Sequence, residues 1–216
     1  MKLLSISLAE ARQVEYNQRQ VSTGIYKEPV DGAVSATELG LMGDVQVDRE
    51  NHGGRDKDIY VYSIENYLFW QEQLGVEAFP HGQFGENFTV SGMEDENVHV
   101  GDIFQFGEIL VEVTQPRVPC FKLGIKMGDP KFVETFLHSG RVGFYLRVLR
   151  EGTVRADDTI SLAQEHPAKL NIRDCMLAII KGPRQHEIIA RALAIEALSE
   201  AWRKDLRKRL MKLQEA

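Results

Sequence analysis

The segment Gln115-Pro116-Arg117-Val118-Pro119-Cys120-Phe121-Lys122-Leu123 concentrates the reactive side chains of this chain. Arg117 and Lys122 lie within three residues of the Cys120 thiol. Nearby cations favour the thiolate, the form that acts as a nucleophile or binds soft metals. Pro116 and Pro119 stiffen the segment, and Pro119 removes a backbone donor beside the cysteine. The same residues also suit a buried cysteine serving as a small hydrophobe, the usual state of a free thiol. Cys175, by contrast, falls on the apolar stripe of a predicted helix and reads as core.

Two further segments could support such a site. In Asp48-Arg49-Glu50-Asn51-His52-Gly53-Gly54-Arg55-Asp56-Lys57, the paired glycines allow close backbone approach and can aim N–H groups at a ligand. Arg55 and Lys57 add positive charge, and His52 can donate a proton or bind a metal. A polar hairpin turn would have the same composition. Gly85-Glu86-Asn87 places a carboxylate and an amide at the start of a strand, and by itself also reads as a turn. The six histidines show no paired metal-ligand spacing, which argues against a zinc site built from protein ligands alone. Nucleotide-loop and Gly-x-Ser-x-Gly signatures are absent.

These segments sit among many short strands. Residues 4–8, 59–62 and 103–106 alternate apolar and polar, and 109–113 and 142–148 read as half-buried or central strands. Gly- and Asp-containing turns separate them, which favours a barrel or sandwich over parallel α/β wrapping. Two helices are predicted in this part: one capped by Ser63 and stopped by Gly75, and one over 130–138. The last fifty residues predict three short amphipathic helices: one capped by Asn171 and ended at Gly182-Pro183, one carrying Ile188 and Ile189, and one capped by Ser199 with Trp202, Leu206, Leu210 and Leu213 on its buried stripe.

The chain has 216 residues, 43% hydrophobic and 27% charged, which suffices for one large domain and excludes a disordered chain. Its net charge of −6 argues against a nucleic-acid coat protein. Two cysteines are too few for a disulfide scaffold. The absence of a long apolar run or leader-like start predicts a cytoplasmic protein with no membrane contact. From Ala163 onward there are 11 Lys+Arg against 7 Asp+Glu, leaving 15 against 25 in the rest. The change of sign, with Pro167 beside it, divides the chain into a mostly β domain over 1–164 and a three-helix region over 165–216.

Taken in order, Gly40-Leu41-Met42-Gly43-Asp44 with Asp48, His52-Gly53-Gly54, the Tyr60–Trp70 region, Gly85-Glu86-Asn87, Val100-Gly101-Asp102, and Gln115-Pro116-Arg117 with Pro119-Cys120 resemble the MOSC family, named for the C-terminal domain of molybdenum cofactor sulfurases. The C-terminal helices and Thr23–Val30 are similar to stand-alone bacterial members tied to 6-N-hydroxylaminopurine resistance. The resemblance covers nearly the whole chain. Asp58, where many relatives have a small apolar residue, and Phe121, where Trp is frequent, depart from the pattern.

The resemblance implies a MOSC-like β-barrel that binds a molybdenum–pterin cofactor, with Cys120 as molybdenum ligand, and a reductase that converts N-hydroxylated purines and related compounds to amines. An acidic protein must hold the pterin phosphate with a local positive patch. Arg117, Arg55, Lys57, Lys122 and Lys27 are the candidates, helped by Gly53 and Gly54 N–H groups. His52 is the candidate acid for the leaving hydroxyl, and Asn87 a group that orients substrate or cofactor. Asp44, Asp48 and Glu86 either position the cations or, by preference, serve turns. The partners implied are the substrate and a redox protein that supplies electrons, with a homodimer left open. One alternative is a sulfur carrier with a persulfide on Cys120. Another is a nucleic-acid module using the basic stretch Arg203–Lys212, for which a basic face is only the first requirement.

Overall fold

The computed structural model describes residues 1–47, 55–180 and 182–215. The chain begins with β1 (Lys2–Leu8), β2 (Arg12–Tyr16), β3 (Arg19–Thr23), β4 (Glu28–Pro29), β5 (Val34–Thr37) and β6 (Gly40–Leu41). A 3₁₀ turn at Arg55–Lys57 leads to β7 (Ile59–Ser63), α1 (Ile64–Leu74), β8 (Phe88–Ser91), β9 (Ile103–Phe106) and β10 (Ile109–Pro116). Then come α2 (Phe121–Met127), α3 (Phe132–His138), β11 (Phe144–Arg150), β12 (Gly152–Val154) and β13 (Ile160–Gln164). Three helices close the chain: α4 (Ile172–Met176), α5 (Gln185–Leu193) and α6 (Glu200–Gln214).

The main sheet has eight strands in the order β13-β9-β10-β11-β7-β8-β1-β4. Its far members return toward each other. The Asp157 N–H donates to Leu3 O at 2.7 Å, the Leu3 N–H to Asp158 O at 3.0 Å, and Lys2 faces Thr159 in an isolated bridge. The protein is mostly β, as expected, but among the described residues the eight-stranded sheet does not close into the expected barrel; only these few bonds join β1 to the approach of β13. Val61, Phe88, Phe106, Val113, Phe144 and Leu146 are buried in the core. β7 and β8 run parallel, which requires a crossover, and α1 supplies it. As the sequence predicts, Ser63 caps α1 by accepting from the Asn66 N–H at 3.2 Å, and Gly75 ends it at φ 64°.

Three elements differ from the sequence reading. Phe121–Met127 is a helix that the sequence reading does not predict, with Cys120 at its N-cap position and Gly128 at φ 70° ending it. β2 and β3 form a separate hairpin whose turn places Asn17 and Gln18 at φ 49° and 60°, the type I′ arrangement. Gln18, where glycine is usual, hides that turn from the sequence. α4 stops at Met176 because the next residues tighten: the Leu177, Ala178 and Ile179 N–H groups donate three residues back, at 3.0–3.1 Å.

The C-terminal helices meet the sheet through polar contacts. Ser199 caps α6 by accepting from the Trp202 N–H at 3.2 Å, and its hydroxyl donates to Gln115 Oε1 of β10 at 2.6 Å. The Glu200 N–H donates to Asp56 Oδ2 at 3.0 Å, and Arg147 donates to Ala197 O at 2.6 Å. Trp202 and Leu206 are buried as expected, but Leu213 is exposed. Among the described residues, no helix is long and apolar enough to cross a membrane.

Candidate functional site

Six of the ten predicted site residues converge where the end of β10 meets the start of α2. A cavity of about 110 Å³ is lined there by Cys120, Arg117, Lys122, Lys57, Lys27 and Asn87, together with Tyr60, Tyr145, Asp44 and the segment 23–25. β10 and Pro119 hand the chain to α2, so Cys120 and Lys122 open the helix at the cavity wall. Lys57 arrives on the 3₁₀ turn, which Thr114 fixes by donating from its hydroxyl to Asp56 O at 2.6 Å.

Arg117 is nearly fully buried. Its N–H donates to Gly143 O at 3.0 Å, and its guanidinium lies 4.8 Å from the Tyr60 ring centre and 5.5 Å from that of Phe136. Gly143 sits at φ +70°, and a Cβ there would collide with the Val61 carbonyl, so this turn requires glycine. Burial works against the guanidinium charge, yet the neighbouring Tyr60 and Tyr145 phenols and the Cys120 thiol raise its pKa above the ordinary value. Arg117 Nη1 is buried without a hydrogen-bond partner. An unmatched buried charged donor is costly, and Arg117 is one of the residues lining the cavity, so its charge suits an anion bound there.

Lys27 is committed to the protein. Its ammonium bonds both oxygens of Asp44, at 2.6 and 2.7 Å. Burial lowers its pKa, opposed by the charge and hydrogen bonds of Asp44. Asp44 Oδ1 also accepts from the Ala9 N–H at 2.9 Å, and Oδ2 from the Asn87 amide at 2.8 Å. Asp44 therefore does more than the preferred turn duty: it joins β4's approach, β1's exit and the strand entry at Asn87. The Asn87 amide likewise serves the protein, donating to Ser7 O at 3.3 Å while its oxygen accepts from the Tyr60 N–H at 3.1 Å. Its contribution to a ligand is placement of the wall rather than a free amide.

Glu86 also holds structure. Its buried carboxylate accepts from the Tyr67 hydroxyl, the Gly82 N–H at 2.8 Å, the Phe84 N–H at 3.1 Å and Thr89 Oγ1 at 2.9 Å. This clamp presents Gly85 to the cavity, where a Cβ would come within 2.7 Å of Ile25. Lys126, six residues beyond Cys120, donates to Ile25 O at 3.0 Å and Gly82 O at 2.6 Å. Burial lowers its pKa to about 8.

Arg55 does not join the site: its side chain is exposed and pairs with Glu38 at 3.6 Å. Asp48, His52, Gly53 and Gly54 lie outside the described residues. Cys175 is fully buried, and burial pushes its thiol pKa up, in keeping with a core role. Sequence reasoning did not pick out the phenols of Tyr60 and Tyr145. Their signals were a position on predicted strands and, for Tyr60, a place in the Tyr60–Trp70 region that resembles the MOSC family.

A family model described as MOSC domain matches residues 48–161, which include Lys57, Asn87, Arg117 and Cys120. The chain belongs to the MOSC domain family. A second model, described as a YiiM-like, 3-alpha helix domain, matches residues 183–213 of this MOSC protein. YflK of Bacillus subtilis, described as uncharacterized, is 37% identical over 207 residues, covering 96% of this chain and 93% of its own. A protein named Reductase from Gibberella moniliformis is 32% identical over 184 residues, covering 84% of this chain but 31% of its own. The crystal structure of YiiM from Geobacillus stearothermophilus superposes with a TM-score of 0.81 at 31% identity, covering 97% of this chain and 98% of that one. This MOSC protein thus shares both its sheet and its C-terminal helices with YiiM.

Proposed function

We propose that the protein is a molybdenum-cofactor-dependent reductase of N-hydroxylated purines and related compounds. One observation carries the reading: Arg117, a buried guanidinium whose Nη1 has no hydrogen-bond partner, is among the residues lining the same cavity as Cys120, Lys57 and Lys122. A soft thiol beside an unmatched anion donor is the donor set that a pterin phosphate and its thiophilic metal require. Membership of the MOSC family, whose members are associated with molybdenum cofactor enzymes, and a relative named Reductase support it.

In this reading Cys120 is the metal ligand, and Arg117, with Lys57 and Lys122, holds the phosphate. The bound cofactor supplies the two electrons of R–NHOH + 2e⁻ + 2H⁺ → R–NH₂ + H₂O. His52 gives a proton to the departing hydroxyl. Lys27, Asp44 and Asn87 keep the opposite wall in place, and Tyr60 and Tyr145 shield Arg117 from water.

The test is metal analysis and 6-N-hydroxylaminopurine reduction by protein made with an intact cofactor pathway. Wild type is expected to carry molybdenum and to turn over; Cys120→Ser is expected to lose both, and Arg117→Met to lose cofactor. Full activity in Cys120→Ser with cofactor bound would remove the ligand role. A stable +32 Da adduct on Cys120 without molybdenum would favour sulfur transfer instead.

A further inference from the structure

A second cavity, of about 390 Å³ and mostly apolar, is lined by residues of α2, the helix whose first turn also contributes to the site. Its walls are Tyr16, Phe121, Ile125, Pro130 and Val133, with Gly124 beneath. The two cavities share their framing elements. Thr23, at the base of the β2–β3 hairpin, and Cys120 and Lys122 line the first; Tyr16, at the hairpin tip, and Phe121 line the second. Cys120 and Phe121 are consecutive, with Cα atoms about 3.8 Å apart, so the two cavities come near one another at the start of α2.

The lining of this cavity is selective. Phe121 is the first residue of α2 and remains 42% exposed, unusual for an aromatic ring on a helix that otherwise buries Leu123. It stacks on Tyr16 with ring centres 5.1 Å apart and planes 30° apart. The type I′ turn places Tyr16 there, and Gly24 anchors the hairpin base, where a Cβ would come within 2.6 Å of Val45 O. Gly124 lets α2 approach α3: a Cβ there would lie 3.1 Å from Pro130 and 3.2 Å from Val133. The result is a mostly apolar space lined by two stacked aromatic rings, one of which, Phe121, follows the candidate metal ligand in sequence. Such walls reward a planar π-system, because stacking adds to the release of water from apolar surface.

We propose that Tyr16 and Phe121 form a stacking subsite for the flat aromatic ring of the molecule whose N-hydroxyl group is presented at Cys120. This deepens the reductase reading, on which it rests for the identity of the reacting group. The subsite makes the enzyme selective for ring-bearing over aliphatic N-hydroxy compounds.

The test uses 2-aminopurine, a planar base whose fluorescence is quenched on stacking, titrated with the full-length protein made with its cofactor pathway intact. Saturable quenching is expected, weakened about tenfold by Phe121→Ala and by Tyr16→Ala and retained by Phe121→Trp. In turnover, Phe121→Ala should raise KM about tenfold for 6-N-hydroxylaminopurine and leave KM for hydroxyurea unchanged. Equal quenching in wild type and both alanine variants overturns the subsite, as does a KM rise of the same size for both substrates. Ring-dependent binding without turnover overturns the reduction and leaves the subsite standing. Turnover with ring-independent KM does the reverse.

Discussion

The Asn87 amide donates to the Asp44 carboxylate at 2.8 Å, and this contact makes one wall of the cavity a continuous polar unit. Asp44 holds Lys27 with its two oxygens, and Asn87 holds the Tyr60 backbone and Ser7 O. Five chain segments, at Ser7–Ala9, Lys27, Asp44, Tyr60 and Asn87, are tied together by two short side chains. Both are buried, so each lost partner leaves a desolvated group unmatched.

Asn87→Ala is therefore expected to destabilise the protein by about 2–4 kcal/mol, through three broken hydrogen bonds, as read from urea denaturation. Asn87→Asp is expected to cost at least as much, since it sets a second carboxylate against Asp44. A loss below about 0.5 kcal/mol in both would show the wall to be dispensable.

Thiol reactivity should separate the two cysteines. Cys120 is partly exposed, whereas Cys175 is fully buried with its thiol pKa pushed up by burial. Cofactor-free native protein should show a single fast-reacting thiol with Ellman's reagent, and urea-unfolded protein two. Cys120→Ser should abolish the fast reaction; its survival in that variant would assign it to Cys175.

Asp58 should make stability depend on pH. Burial raises its carboxyl pKa to about 7, above an unfolded value of about 3.9. The native state therefore binds the extra proton between these values. The stabilisation is full at low pH and is lost as pH rises through 7. Asp58→Asn keeps an oxygen to accept the Val148 N–H, a bond of 3.3 Å in the native protein, and carries no charge. It should be more stable than wild type by about 2 kcal/mol at pH 8 and indistinguishable at pH 4. Equal urea midpoints at pH 8 would mean that the carboxylate is ionised in the native protein without penalty.

In the proposed reductase reading, an acidic electron donor would dock on the exposed basic face of α6. Lys204, Arg207 and Lys208 lie together in solvent, whereas Arg203 donates to the Leu193 and Ile195 carbonyls and Arg209 pairs with Asp205. The helix starts on Asp56, next to the cavity residue Lys57. The double reversal Arg207→Glu, Lys208→Glu should slow turnover driven by the donor protein about tenfold at low salt, with the difference shrinking as salt is added. Turnover with a small artificial donor should stay the same; a parallel loss with both donors would trace the effect to the helix rather than to docking.

Much of the fold was legible because its signals are local. Strands over residues 4–8 and 59–62 and the Ser63, Gly75 and Ser199 caps stand where expected, each from signals that act within a few residues, although Ser5, Ser7, Tyr60 and Tyr62 are buried where the alternation turned them outward. The boundary signals weakened where a turn used an untypical residue, as at Gln18. α2 was missed because two prolines and a cysteine precede a stretch of only seven helical residues. At the site, Cys120 and Arg117 were legible because proximity in sequence already places charge near a thiol.

By itself the sequence determined which residues could carry charge, thiol chemistry and a buried face, and which short elements would bear them. Only the tertiary structure decided how each cation is used. Lys27 is spent on Asp44, Arg55 turns outward to Glu38, and Arg117 is buried with one donor unmatched. Asn87 and Glu86, which read as turn or ligand residues, became internal struts. The reason is range: caps and periodicity act over one or two turns of chain, whereas the fate of a buried charge depends on partners brought from tens of residues away and on the water that their packing removes.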